Sequence, residues 1–107
     1  MLFNKKTRIM IGIYKITSPS GKIYIGQSVN IKDRLRAYRG LRCKKQVKLY
    51  RSLVKYGVIN HVFEIVCECE IEELNDKERY YQELYDCIES GLNCVLTGTN
   101  DKKGKLS

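Results

Sequence analysis

The chain predicts an α+β domain: a small, mostly antiparallel sheet of three to four strands flanked by three helices, in the order ββααβα. Three observations carry this. Two short alternating runs, rich in isoleucine and tyrosine, flank a Ser-Pro-Ser-Gly turn and read as a β-hairpin. From Ile31 to Tyr56 the apolar period becomes helical and is broken once, at about Gly40. One further alternating run, Val62 to Cys69, then gives way to a long helical period ending near Ile88. With 107 residues there is material for one modest core and not for two.

Each element has a local justification. Arg8 to Thr17 forms the first strand. In Ser18-Pro19-Ser20-Gly21 the proline fixes φ and the glycine supplies the open conformation. Lys22 to Gln27 forms the second strand. A loop with an odd residue count, such as Ser18 to Ser20, sets Tyr14 across from Tyr24 on one face, and an even count separates them, so the register stays open. Ser28 or Asn30 caps a helix over Ile31 to Arg39, and Gly40 ends it. A second helix, Lys45 to Tyr56, carries Val47, Leu49 or Tyr50, Leu53 and Val54 at helical spacing and stops at Gly57. In the third strand Phe63, Ile65, Cys67 and Cys69 alternate against Glu64, Val66 and Glu68. Gly91-Leu92-Asn93 breaks the last helix, Cys94 to Leu96 fits a short fourth strand, and Thr97 to Ser107 reads as a polar, mobile tail. The expected division is a domain over 1–96 and a basic tail or linker over 97–107, with Asn100 to Lys105 linker-like. There are no internal repeats.

Composition narrows the partners. Twenty Lys and Arg against 12 Asp and Glu leave a formal charge of +8, which favours a polyanion, most simply nucleic acid, or an anionic membrane surface. No apolar run approaches the roughly 20 residues of a membrane span. Met1-Leu2-Phe3-Asn4-Lys5-Lys6 has its charges after the apolar stretch, the reverse of a secretory signal. Nucleic acid in an intracellular compartment, with no membrane, is the expected setting. The five cysteines (Cys43, Cys67, Cys69, Cys87 and Cys94) are odd in number and contain no CxxC. A zinc site from Cys67, Cys69, Cys87 and Cys94 is conceivable, but free thiols in a reducing cytoplasm fit the spacing better.

Four positions stand out chemically. In the last helix Ile71, Leu74, Tyr81, Leu84, Tyr85 and Ile88 mark an apolar stripe, and Glu78 falls in its middle, four after Leu74 and three before Tyr81. A carboxylate buried there needs a facing cation or strong donor. A buried Glu–Arg pair and a ligand for Mg²⁺ or Mn²⁺ answer that need equally well. On the first helix Arg34 lies at the edge of the face marked by Ile31, Leu35 and Tyr38. There its planar donors suit a phosphate, a place in solvent, or Glu78 itself. Tyr14 and Tyr24 are ordinary strand residues unless their hydroxyls converge with Arg34 and Glu78. A phenol titrates near pH 10, roughly, so it needs a cation nearby before it can take a proton from water at neutral pH.

The spacing Gly12-Ile13-Tyr14, Tyr24-Ile25-Gly26, Arg34, Tyr38, Glu78, Gly91-Leu92-Asn93 resembles the GIY-YIG nuclease superfamily over about residues 9 to 96. Val47-Lys48-Leu49, Ser52 and Lys55-Tyr56-Gly57 look like its homing-endonuclease branch. The resemblance implies a metal-dependent DNA endonuclease whose products carry 5′ phosphate and 3′ hydroxyl. It implies that Tyr14 and Tyr24 are the family tyrosines, one of which activates or positions the attacking water, and that Arg34 steadies charge on the scissile phosphate. Tyr38 would assist proton transfer or phosphate contact, Glu78 would hold Mg²⁺ (with Mn²⁺ as substitute), and Asn93 would support the site. Gly12 and Gly26 would allow close packing around it. One departure stands out: some homing enzymes carry a further histidine before the second helix, where this chain has basic residues near Lys44. The single histidine, His61, reads as structural.

Arg39, Arg42, Lys44, Lys45, Lys48 and Arg51 cluster around the first two helices and form an expected phosphate-contacting surface. Target choice in such enzymes usually lies in an appended domain, so a separate or missing recognition domain is expected. Two other readings remain open: a non-cutting nucleic-acid-binding module on a nuclease-like fold, and a cysteine-ligated zinc domain used for protein contacts.

Overall fold

A computed structural model describes residues 9–99; the predicted strand start at Arg8, the N-terminal segment and the linker-like Asn100 to Lys105 lie outside the described residues. The hairpin pairs β1 (Gly12–Thr17) with β2 (Ile23–Ser28), and a third strand β3 (Val62–Glu68) adds antiparallel to the other side of β1, so the sheet order is β2-β1-β3. Between β1 and β2 the loop spans five residues, 18–22. It is closed by Gly21 N–H donating to the Ser18 carbonyl at 2.9 Å and by Ser18 Oγ accepting from the Lys22 N–H at 3.1 Å. The odd count keeps Tyr14 and Tyr24 on one face, but the longer loop offsets them: Tyr14 faces Gly26 and Ile16 faces Tyr24.

Helices cover both faces. Over the face carrying Tyr14, Ile16 and Tyr24 lie α1 (Ile31–Arg39) and α2 (Val47–Tyr56), which contribute Ile31, Tyr38, Leu49 and Leu53 to one buried cluster. Over the opposite face lies α3 (Leu74–Leu84), where Leu74 and, just beyond the helix, Cys87 pack with Ile13 and Ile25. The sheet is therefore the middle of three layers, and each helix buries one stripe against it. Asn30 caps α1, its side chain accepting from Asp33 N–H at 3.2 Å, and the Gly40 N–H donates to the last carbonyls.

Three expectations are corrected. The alternation of the third strand is broken by a bulge: Ile13 pairs with Cys67 and Tyr14 with Ile65, so Val66 is the extra residue. Phe63 therefore joins the tyrosine-side core, Val66 and Cys67 join the other, and Ile65 is left exposed. The last helix is shorter than 71–88. A 3₁₀ turn, Ile71–Glu73, precedes it, and it stops at Leu84 because Asp86 takes a left-handed conformation (φ 52°) and Cys87 N–H folds back to the Gln82 carbonyl. Its ends consequently leave the core: Ile71 and Leu84 are each 57 % exposed, while Leu74, Glu78 and Gln82 are buried.

The fourth strand over Cys94 to Leu96 does not form. Instead Leu92 N–H donates to the Ile23 carbonyl, and the Asn93 side chain closes the β2 edge, accepting from Ile25 N–H at 2.8 Å and donating to Ile25 O at 2.9 Å. A side-chain amide thus does for one residue what a neighbouring strand would do for several. Thr97, counted above with the tail, is held on α3: its N–H donates to Gln82 Oε1 at 2.8 Å and its carbonyl accepts from Arg79 at 3.0 Å.

Candidate active site

Three tyrosines meet on the α1/α2 face of the sheet. Tyr14 from β1, Tyr24 from β2 and Tyr38 from α1 have ring centroids 5.8–6.3 Å apart, and the hydroxyls of Tyr14 and Tyr38 share a hydrogen bond of 2.5 Å. The offset register makes room for this. Tyr14 lies over Gly26, where a Cβ would stand 2.4 Å from its Cζ and its hydroxyl oxygen. Gly12 serves the other strand in the same way, since a Cβ there would stand 2.1 Å from the Cys67 carbonyl oxygen. Gln46, just before α2, completes the group: its Nε2 donates to the Tyr24 hydroxyl at 2.7 Å and to the Tyr38 hydroxyl at 2.9 Å.

The surroundings favour the neutral form of two of these phenols, Tyr14 and Tyr24. Burial holds Tyr14 well above the ordinary tyrosine range, reinforced by its neighbours Tyr38 and Tyr24 and opposed only by the Arg34 charge. Burial likewise raises Tyr24, with Tyr38 and the Glu78 carboxylate adding to it, and the hydrogen bond from Gln46 works in the opposite direction.

Glu78 projects from α3 toward the β2 edge and is 8 % exposed. The donors its burial requires come from Gln27 Nε2 at 2.7 Å and Thr97 Oγ1 at 2.6 Å; Arg34 is not its partner. Gln27 is itself held by donating to Asn75 Oδ1 at 2.8 Å. Both bonds to the carboxylate fall on Oε1, which leaves Oε2 without a protein donor among the described residues. A carboxylate pinned by one oxygen and open at the other fits a hard divalent cation that takes its remaining ligands from water and phosphate. No three His, Cys, Asp or Glu side chains gather at one point among the described residues, so Cys67, Cys69, Cys87 and Cys94 do not converge into a zinc site. A cleft of about 240 Å³ lined by Tyr24, Lys45, Gln46, Glu78, Asn93 and Thr97 brings the β2 edge, Glu78 and one tyrosine to a common surface.

Arg34 is exposed on α1 and lines a neighbouring cleft of about 620 Å³ with Arg42, Lys44, Lys45 and Gln46. The two clefts share Lys45 and Gln46. Cations therefore flank one side of the tyrosines and the Glu78 carboxylate the other. The remaining basic residues separate from this group. Lys48 and Arg51 line a third cleft with Lys22 and Lys55, and the Lys48 ammonium donates to the carbonyls of Ile88 at 2.7 Å and Asn93 at 3.0 Å, clamping the segment that carries Asn93. Arg39 stacks its guanidinium 6.0 Å from the Phe63 ring centre and lines none of the three. His61 is buried away from the tyrosines: Nδ1–H donates to the Gly57 carbonyl and Nε2 accepts from Ser52, both at 2.8 Å, a tie between α2 and the loop after it.

The sequence profile of the GIY-YIG catalytic domain matches residues 10–90, which takes in every strand, every helix and both tyrosine triplets. The chain belongs to the GIY-YIG nuclease family. Among solved structures, a glutamate-to-alanine mutant of the catalytic domain of intron endonuclease I-TevI superposes with a TM-score of 0.71 at 22 % identity, covering 86 % of this chain and 100 % of that one. The catalytic domain of homing endonuclease I-TevI gives 0.69 at 25 % identity, covering 79 % of this chain and 98 % of that one. No curated protein sequence matches the chain.

Around the GIY-YIG residues the structure adds three that sequence reasoning missed: Gln27, Gln46 and Thr97. Gln27 had a signal, since strand alternation sets it on the face of Ile13 and Ile25, toward the helix that carries Glu78. Thr97 was hidden in an apparently polar tail, and Gln46 lies between a lysine and a valine with no pattern around it. Lys44 and Lys45, just before α2, line the Arg34 cleft.

Proposed function

We propose that this GIY-YIG domain hydrolyses DNA phosphodiester bonds in a reaction that depends on a divalent metal, at the junction of the Arg34 and Glu78 clefts. The observation that carries the reading is the placement of an Arg34-lined cationic cleft and an open Glu78 carboxylate on either side of a tyrosine cluster. Endonuclease chemistry agrees with the family and with both structural neighbours, which are endonuclease catalytic domains.

The phosphodiester would lie across Lys45 and Gln46, where the two clefts join. Arg34 presents paired donors to a non-bridging phosphate oxygen and stabilises the charge gathering on it in the transition state. The Tyr24 hydroxyl, at the cleft surface, orients the attacking water in line with the departing 3′ oxygen. Tyr14 and Tyr38, more deeply placed, hold the hydroxyl network rigid. The water oxygen bonds to phosphorus, the bond from phosphorus to the 3′ oxygen breaks, and the proton from water ends on that oxygen, giving 5′-phosphate and 3′-hydroxyl ends. Glu78 would hold Mg²⁺, with Mn²⁺ as a substitute, and the ion when bound supplies positive charge against the phosphate and the leaving oxygen. Gln27 and Thr97 keep the carboxylate aimed, and Asn93 keeps the β2 edge in place.

Arg42, Lys44 and Lys45 form the phosphate-contacting flank. Target choice comes from a separate recognition domain, as the catalytic-domain extent of both neighbours suggests, and the substrate is intracellular DNA, including that of a homing or mobile element's host. The test is plasmid cleavage by wild type, Glu78→Ala and Arg34→Ala, each with a melting curve. The reading expects folded variants with cutting reduced at least about 100-fold, the scale of losing one transition-state contact. Full activity in either variant contradicts it, and DNA binding without cutting by the wild type indicates a binding-only module.

A further inference from the structure

Gln46 stands where the two clefts meet, and its side chain does something its position does not ask for. It occupies the N-cap of α2, where Asn, Asp, Ser or Thr would bond the free N–H groups of the first turn, yet it makes no capping bond. Its amide is turned to the tyrosines, and both Nε2 hydrogens are spent there, one on Tyr24 and one on Tyr38.

Counting protons shows the consequence. Tyr38 accepts from Gln46, and one proton is shared in its bond with Tyr14. Tyr24 also accepts from Gln46, which fixes its oxygen against the amide and leaves its own proton for Tyr38 or for the cleft. Tyr24 lines the Glu78 cleft, so the oxygen that Gln46 holds stands at the cleft edge. An acceptor in place of the amide nitrogen would draw the Tyr24 proton to itself and away from a water in the cleft.

Resting on the nuclease reading, we propose that Gln46 is a positioning residue for that reaction: by donating to the Tyr24 oxygen from behind it holds that hydroxyl at the cleft edge and offers its proton no acceptor at position 46.

Three substitutions separate this from a packing role. Gln46→Met keeps the length and removes the donor; Gln46→Glu keeps the shape and replaces the donor with an acceptor; Gln46→Ala removes both. With plasmid DNA and Mg²⁺, kcat is expected to fall about 10-fold in Gln46→Met and about 100-fold in Gln46→Glu, with KM for DNA changed less than twofold. The ratio of Gln46→Glu to wild-type activity should rise on acidification, because the protonated carboxyl regains a donor. A packing role predicts instead that activity follows melting temperature across the three variants, with no pH effect on the ratio. Wild-type activity in Gln46→Glu overturns the proposal, since the amide oxygen would then be what faces the hydroxyls. A second readout needs no activity: in protein labelled with ¹³C at tyrosine ζ, Gln46→Met should move the Tyr24 and Tyr38 signals and leave Tyr80 in place, and unmoved Tyr24 and Tyr38 signals overturn the proposal. Should the wild type cut no DNA at all, the nuclease reading falls, and the NMR result still decides whether Gln46 holds these hydroxyls.

Discussion

Gly26→Ala tests the link between backbone and site most sharply. The added Cβ would meet Tyr14 Cζ and hydroxyl oxygen at 2.4 Å and Cε1 at 2.8 Å, so the ring must retreat by about 1 Å to regain ordinary contact. Tyr14 is fully buried between sheet and helices, and its hydroxyl is bonded to Tyr38, so retreat strains the packing and breaks that bond. Overpacking of this kind costs about 1–3 kcal/mol and a lost buried hydrogen bond about 1 kcal/mol more. The expected loss is about 2–4 kcal/mol, a melting temperature lower by at least about 8 °C for a domain of this size. A reacting group misplaced by about 1 Å can lose roughly 100-fold in rate, so cleavage should fall by that order even where the variant is folded. Differential scanning calorimetry and plasmid cleavage below the transition measure both. Adding Tyr14→Phe should relieve little, because the Cζ and Cε1 clashes remain. Unchanged stability and unchanged cleavage in Gly26→Ala would refute the reasoning, since the ring would then have room that this geometry denies it.

Other outcomes follow from the same contacts. Asn93→Asp retains the acceptor for Ile25 N–H but sets a carboxylate oxygen against the Ile25 carbonyl; an unpaired or opposed buried group costs about 1–3 kcal/mol, and urea unfolding should show that loss at pH 7 shrinking as acid protonates the introduced carboxyl. Tyr14 and Tyr24 have folded-state pKa values above the unfolded value near 10. The folded chain therefore holds those protons more tightly, and their contribution to stability is complete below about pH 10 and is lost as pH rises beyond it. A denaturation series from pH 8 to 11.5 should be flat, as far as these two groups go, until about pH 10 and then decline, more weakly in Tyr24→Phe. Neutralising Arg42, Lys44 and Lys45 together as glutamines should lower the salt-dependence slope of DNA binding by about 2.7, and an unchanged slope would remove that flank from the DNA path.

Much of the architecture was legible because each element repeats its signal over several residues. Alternation marked the strands, helical spacing marked the helices, and glycines marked the ends of α1 and α2. What failed were single-residue events: the Val66 bulge, the left-handed Asp86 that stops α3, and the Asn93 amide that stands in for a fourth strand. Each is a local choice between near-equal backbone paths, and each is decided by tertiary contacts. In the site, Glu78 was legible because a carboxylate inside an apolar stripe is costly enough to need a reason. Its partners were not, because Gln27 and Thr97 are uncharged residues brought to it from a strand 51 positions earlier and a segment 19 positions later. Gln46 was invisible for the same reason: an amide between Lys45 and Val47 means nothing until the fold puts two hydroxyls beside it.

The central claim is that Glu78 holds a divalent cation in a site that cuts DNA. Cleavage of supercoiled plasmid by wild type and Glu78→Gln, with Mg²⁺, with Mn²⁺ and with chelator, addresses it directly. The account predicts cutting by the wild type with either metal, none with chelator, and a Glu78→Gln protein that is folded but inactive. Cutting that persists in chelator, or in Glu78→Gln at the wild-type rate, would contradict it.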